Sequence, residues 1–278
     1  DVSTARFVNN ELEEVDLNYS NFTAFLGAYY QLSPSLTFST NLGSAWRPPN
    51  INELFSQGLH HGAAAVEIGD QELNSEKSLK WVNSLEFTSN KSTFELTAYA
   101  NRISNYIYLN PTGDTFVSLR GTFNVYEYLQ ANALFYGFDF SGSYEFTSNF
   151  NAYVKGSIIR AKNTDENNFF PFIPSDRMDW GLSYKLGQEK KTHKFTISNQ
   201  LVARQNREPD FDLAPAPDAY ALFNFGYLRQ LPIGQNKLNL GLQVQNIFNT
   251  SYKEYMNRFR YFTDDIGRNI LLKINYQF

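Results

Sequence analysis

The 278-residue chain contains no cysteine, which removes disulfide staples, thiolate metal sites and thiol nucleophiles together. Histidine is nearly absent too, so imidazole chemistry can come only from His60, His61 or His193. No stretch approaches the ~18 consecutive apolar residues of a spanning helix, which excludes helical membrane insertion. Excess positive charge is also lacking: the net charge of -4 gives no basic footprint for nucleic acid, and none is expected as a partner. The chain opens at Asp1 on a polar run without a basic-then-apolar leader, as expected of a mature exported protein or a fragment of one. A nucleophile elbow, a metal-protease histidine pairing and a phosphate loop are all missing, so no enzyme is expected. The carboxylate pairs Asp139/Glu145 and Asp176/Asp179 read as solvated side chains rather than as acid-base catalysts.

Aromatic residues are plentiful, at 17% of the chain with 25 Phe and 18 Tyr, and apolar residues alternate with polar ones. Ile270, Leu272, Ile274, Tyr276 and Phe278 share one face of a terminal segment, with Leu271, Lys273, Asn275 and Gln277 on the other. This two-residue period suits a strand between lipid and water. The mean hydropathy of -0.43 is compatible with that reading, because half of each strand of a membrane barrel faces a wet lumen. On the same rule roughly eleven segments of barrel-strand length are predicted. They cover about 22–32, 36–46, 79–89, 93–109, 123–147, 150–161, 177–187, 193–205, 219–230, 237–248 and 267–278.

The connections alternate in length. Ser33–Ser35, Asn90–Lys91, Ser148–Asn149, Gly187–Thr192 and Pro232–Asn236 are short; Arg47–Ser78, Asn110–Thr122, Lys162–Asp176, Asn206–Asp218 and Asn249–Ile266 are long. Short turns on the periplasmic rim and long loops outside are the pattern of an outer-membrane barrel. A soluble β-sandwich has no reason for that alternation. The predicted fold class is therefore all-β, a transmembrane antiparallel β-barrel. With an odd strand count the first and last strands run in the same direction, and joining them would create a parallel pair. The missing strands are expected elsewhere, since open edges in lipid are untenable.

Trp46-Arg47-Pro48-Pro49-Asn50-Ile51-Asn52-Glu53-Leu54-Phe55, Gly58-Leu59-His60-His61-Gly62 and Glu67-Ile68-Gly69-Asp70-Gln71-Glu72-Leu73-Asn74-Ser75-Glu76-Lys77-Ser78 resemble the long central loop of TonB-dependent outer-membrane receptors. Val244-Gln245-Asn246-Ile247-Phe248-Asn249 with Tyr252, and the terminal Phe278, resemble the same receptors' penultimate strand, its loop and their assembly signal. The resemblance implies that residues 1–278 are the C-terminal half of a roughly 22-stranded barrel, with 1–21 an extracellular loop leading into the first strand. It implies a Gram-negative outer-membrane location, an N-terminal half-barrel and plug outside this chain, and a TonB energising complex reached through the plug. Outer-membrane lipid and a surface lipoprotein are the further partners considered. The implied function is active import of a scarce metal chelate, an iron-siderophore or haem; a zinc or vitamin receptor, a passive porin and an outer-membrane hydrolase are the alternatives.

The resemblance places His60 and His61 between two boxes where haem receptors of the family carry a ligating histidine. Two imidazoles can hold haem iron or zinc, with Glu67 or Asp70 as an oxygen donor. No intrinsic cofactor is expected; haem, an iron chelate or zinc would be the transported ligand. The same histidines can instead orient the loop by hydrogen bonds. In the last long loop Tyr255, Arg258 and Arg260 lie in a run of cations and aromatics that suits an anionic aromatic chelate, or a membrane-surface girdle. Phe169, Phe170 and Phe172 pose the same choice between ligand and packing.

Overall fold

The computed structural model describes residues 2–8, 11–17, 19–188 and 191–278; side chains of 2–17, 188 and 191 fall outside the description. The centre of the expected Gly187–Thr192 turn and parts of the expected 1–21 loop lie outside the described residues.

The chain forms β1 (Val2–Val8), β2 (Glu11–Leu17), β3 (Phe25–Ser33), β4 (Leu36–Arg47), the short helix α1 (Ile51–Phe55), β5 (Gln57–His60) and β6 (Ala65–Ile68). It continues with β7 (Glu76–Thr88), β8 (Ser92–Ser118), β9 (Gly121–Thr147), β10 (Phe150–Asn163), β11 (Asn168–Phe169) and β12 (Arg177–Gln188). The remaining strands are β13 (Lys191–Val202), β14 (Tyr220–Ile233), β15 (Asn236–Gln245) and β16 (Asn269–Gln277). One antiparallel path runs β16-β15-β14-β13-β12-β10-β9-β8-β7-β4-β3 and, among the described residues, ends on unpaired edges at β3 and β16. These eleven strands coincide with the eleven expected from alternation, and the sheet is open, as the strand parity requires.

Cross-strand register divides the sheet into two faces. Met178, Trp180, Leu182, Tyr184 and Leu186 of β12 sit opposite Gly156, Val154, Ala152 and Phe150 of β10 and opposite Leu201, Asn199, Ile197, Phe195 and His193 of β13. Asp179, Gly181 and Ser183 pair on the other face with Lys155, Tyr153 and Asn151. Leu182, Ile197, Ile270, Leu272 and Ile274 are exposed on the apolar face. A Cβ on Gly181 would lie 2.4 Å from the Tyr153 ring, so glycine lets that ring lie flat across the neighbouring strand. On the apolar face Trp81 Nε1 donates to Thr40 Oγ1 at 2.9 Å, and Thr40 Oγ1 donates to Asn83 Oδ1 at 2.9 Å. These polar groups satisfy one another where hydrocarbon would offer no partner.

The long connections depart from the expected loops in physically intelligible ways. Residues 110–122 are not a loop: β8 and β9 continue as a hairpin that turns only at Leu119-Arg120. Register shifts after Ile103 and Pro111 let the ladder absorb Asn105, in a left-handed conformation, and the N–H-less proline. Within the expected 1–21 loop, β1 and β2 pair as a separate two-stranded sheet. β15 ends earlier than expected, at Gln245, because Asn246 and Asn249 take positive φ values of 49° and 55°. Asn246 then closes the turn, accepting from Thr250 N and donating to Thr250 O, each at 2.8 Å.

Candidate functional site

The Arg-Pro-Pro box builds a clamp at the long-loop rim. Arg47, the last residue of β4, sits opposite Glu76 at the start of β7. Its guanidinium donates to both Glu76 oxygens at 2.7 and 2.9 Å and to both Glu53 oxygens at 2.7 and 3.0 Å. Such forked pairing is available to arginine and not to lysine. Glu53 also accepts Asn50 N at 2.7 Å, and Glu76 accepts Ile107 N at 2.7 Å. One cation thereby fixes the start of α1, two strand ends and the base of the β8–β9 hairpin. Gly69 is required beside it, since a Cβ there would come within 2.8 Å of the α1 backbone.

Past α1 the loop folds back, and β6 pairs in parallel with the projecting part of β9, from Ala65 opposite Asn124 to Ile68 opposite Glu127. This buries Glu67, which accepts from Arg258 Nη1 at 2.7 Å and from Tyr128 OH at 3.1 Å. His60 Nδ1 lies 3.5 Å from the same carboxylate, while 57% of its side chain remains exposed. His61, in the 3-10 turn His61–Ala63, is exposed. The structure therefore unites His60, Glu67 and Arg258, which sequence separates widely, and keeps His61 beside them.

Two expected oxygen donors are committed elsewhere. Glu67 already neutralises Arg258, and Asp70 accepts Glu72 N at 2.8 Å within its own turn. Among the described residues no three His, Asp or Glu side chains converge as a metal site. Any ion held here would have to bring most of its own ligands.

Tyr255 and Arg260 lie inside the last loop rather than on an open ligand surface. Arg260, 3% exposed, donates through Nη2 to Asp212 at 2.7 and 2.8 Å and lies over the rings of Tyr255 and Tyr261, 4.7 and 4.3 Å from their centroids. Asp212 also accepts from Tyr255 OH at 2.9 Å and Tyr261 OH at 2.7 Å. Sequence inspection missed Asp212, because its partners are more than 40 residues away and no local spacing marks it. The adjoining loops are tied in the same manner. Asp176 takes Arg160 and Arg207, while Glu254 takes Arg177 and Tyr220. Asp176 and Asp179, the latter 3.8 Å from Lys155, are thus ion-pair members. Phe170, 1% exposed, packs edge-on against Tyr106 and Tyr108, and the Phe172 ring lies tilted against Tyr126 with centroids 6.1 Å apart. Those aromatics join the loop layer to the β8–β9 hairpin.

Burial, reinforced by the Asp212 carboxylate, pushes the phenols of Tyr255 and Tyr261 above their ordinary 10.0. The folded loops hold these protons more tightly than the unfolded chain, so their contribution is complete below pH 10.0 and falls as pH rises from there toward the folded values. Ultraviolet phenolate titration should find a tyrosine class that ionises only together with loop opening at high pH. Simple titration of every tyrosine near pH 10.0 would contradict the buried network.

The family model described as TonB dependent receptor-like, beta-barrel matches residues 1–247. The TonB-dependent heme receptor A of Haemophilus influenzae strain 86-028NP is 23% identical over 292 aligned residues, covering 94% of this chain and 38% of the relative. Among solved structures the copper transporter OprC is similar with a TM-score of 0.74 and 21% identity, over 91% of this chain and 39% of that one. The FrpB iron transporter of Neisseria meningitidis (F5-1 variant) gives 0.69 and 17%, over 98% and 41%. The chain thus spans about two fifths of the proteins it resembles. Those relatives are named as receptors and transporters rather than enzymes.

Proposed function

The chain belongs to the TonB-dependent receptor-like β-barrel family, and from that premise we propose that it is the C-terminal half-barrel of an outer-membrane receptor. In this reading the receptor imports a metal chelate, haem or an iron chelate first and zinc second, using energy delivered by the TonB complex. The N-terminal strands would pair with β3 and β16, and a plug would occupy the polar face. The reading is carried by one observation. An eleven-strand path with separate polar and apolar faces bears, at its long-loop rim, a clamped loop that offers His60 and His61 to solvent. Glu67 lies 3.5 Å from His60 Nδ1, and a carboxylate beside one imidazole nitrogen favours ligand binding through the other. Relatives named for haem and iron support the ligand class.

The test is the double change His60→Ala with His61→Ala in the whole receptor. Haem or iron-chelate binding is expected to weaken on the order of tenfold or more, with outer-membrane level and heat-modifiable migration unchanged. Unaltered binding of haem, ferric siderophore and zinc would assign both histidines to loop architecture and move the search to Arg258.

A further inference from the structure

On its apolar face β8 presents Phe94, Leu96, Ala98, Ala100 and Arg102 in succession. Ala100 lies between Trp81 and Tyr136, and Ala98 between Asn83 and Phe138. Trp81, Tyr136 and Phe138 are 53%, 47% and 38% exposed. The two alanines therefore form a notch between large side chains, and the hydrogen bond from Trp81 to Thr40 draws the indole toward β4, away from it. Arg102 stands at the loop end of the notch. Lys162 flanks the same Leu134 from β10, and Lys77 lies opposite Ser104 in the next row. Arg102 and Lys162 are two strands apart, roughly 10 Å. Among the described residues none of these three cations has an ion pair or a side-chain hydrogen bond, whereas Arg160, on the same face, is held by Asp176.

Three unpaired cations at the margin of an apolar surface need a diffuse anion at that level, and their stems can reach past the hydrocarbon to meet it. We propose that this notch binds a phosphorylated membrane lipid. One acyl chain lies along Ala98 and Ala100, and the headgroup phosphates meet Arg102, Lys77 and Lys162. Arginine at the head suits phosphate because its fork can engage two oxygens. The proposal rests on the reading that the apolar face meets the bilayer.

The test uses the whole receptor in phosphatidylcholine nanodiscs with and without lipid A, reading lipid A bound per receptor by native mass spectrometry. Each of Arg102→Gln, Lys77→Gln and Lys162→Gln is expected to weaken retention by roughly fivefold. Ala100→Phe should weaken it by filling the notch with every charge intact, and inorganic phosphate should fail to displace the lipid. Retention by the triple glutamine variant equal to wild type, or displacement by inorganic phosphate, would overturn the proposal. A receptor that cannot enter even plain phosphatidylcholine discs would remove the membrane reading itself, a result separable from loss of lipid selectivity.

Discussion

Leu182→Arg is expected to destabilise the barrel by roughly 2 to 4 kcal/mol, while Ser141→Lys should change stability by less than about 0.5 kcal/mol. Leu182 lies mid-strand in β12, 39% exposed, between Ala152 and Ile197 on the apolar face. A guanidinium there cannot reach either rim without distorting the sheet or thinning the bilayer, and no carboxylate shares its row. Ser141 is exposed on the polar face, between Glu95 and Lys155, where attraction of an added ammonium to Glu95 offsets its repulsion from Lys155. Unfolding of the whole receptor by urea in lipid vesicles measures both. Equal costs at the two positions would mean that both faces meet similar surroundings, and the membrane reading would fail.

Asp212→Ala should cost more locally, roughly 3 to 5 kcal/mol, because it strands a buried arginine. Asp212 and Arg260 have side chains only 4% and 2% exposed. Removing the carboxylate leaves Arg260 only neutral acceptors, Ala214 O and Pro215 O at 3.3 to 3.4 Å and the Tyr261 hydroxyl at 3.0 Å, and deprives Tyr255 and Tyr261 of their carboxylate acceptor. The network joins the 206–218 and 249–266 segments and meets the main path at Tyr126, in the projecting part of β9, so damage should stay in the loops and that projecting end. Hydrogen exchange should quicken in those two segments while the strands keep their protection. Uniform destabilisation of strands and loops would show that the loops are part of the barrel's cooperative unit, and unchanged loop exchange would show that the ion pair contributes little.

Much of the fold was legible because its determinants are local. The period-two alternation in Met178–Leu186 and Ile270–Phe278 needs only neighbouring residues to be read, and the short turns sit where that alternation breaks. The Arg47 box was recognisable as a motif, though its role was not: the clamp needs Glu76 opposite in the ladder and Glu53 in α1. The 110–122 segment looks like a loop in sequence because Pro111, Gly113 and Asn110 are turn formers in isolation. Pairing with residues 121–127 across a long hairpin overrode that preference.

The candidate site divides along the same line. His60 and His61 stand out in any sequence with so little histidine. Nothing local announces that Glu67 will meet Arg258, 191 residues away, or that Arg260 will be buried on Asp212 while Arg102 remains unpaired. Alternation, turn rhythm and the rim motifs by themselves determined the eleven strands of the main path, their faces and the open edges, though not how far β8 and β9 extend, since burial on a two-sided sheet acts residue by residue. Which loop side chains are ligands for one another, and which are left for something else, was decided only by tertiary structure, because an ion pair depends on distance in space and the loops are brought together by the sheet beneath them.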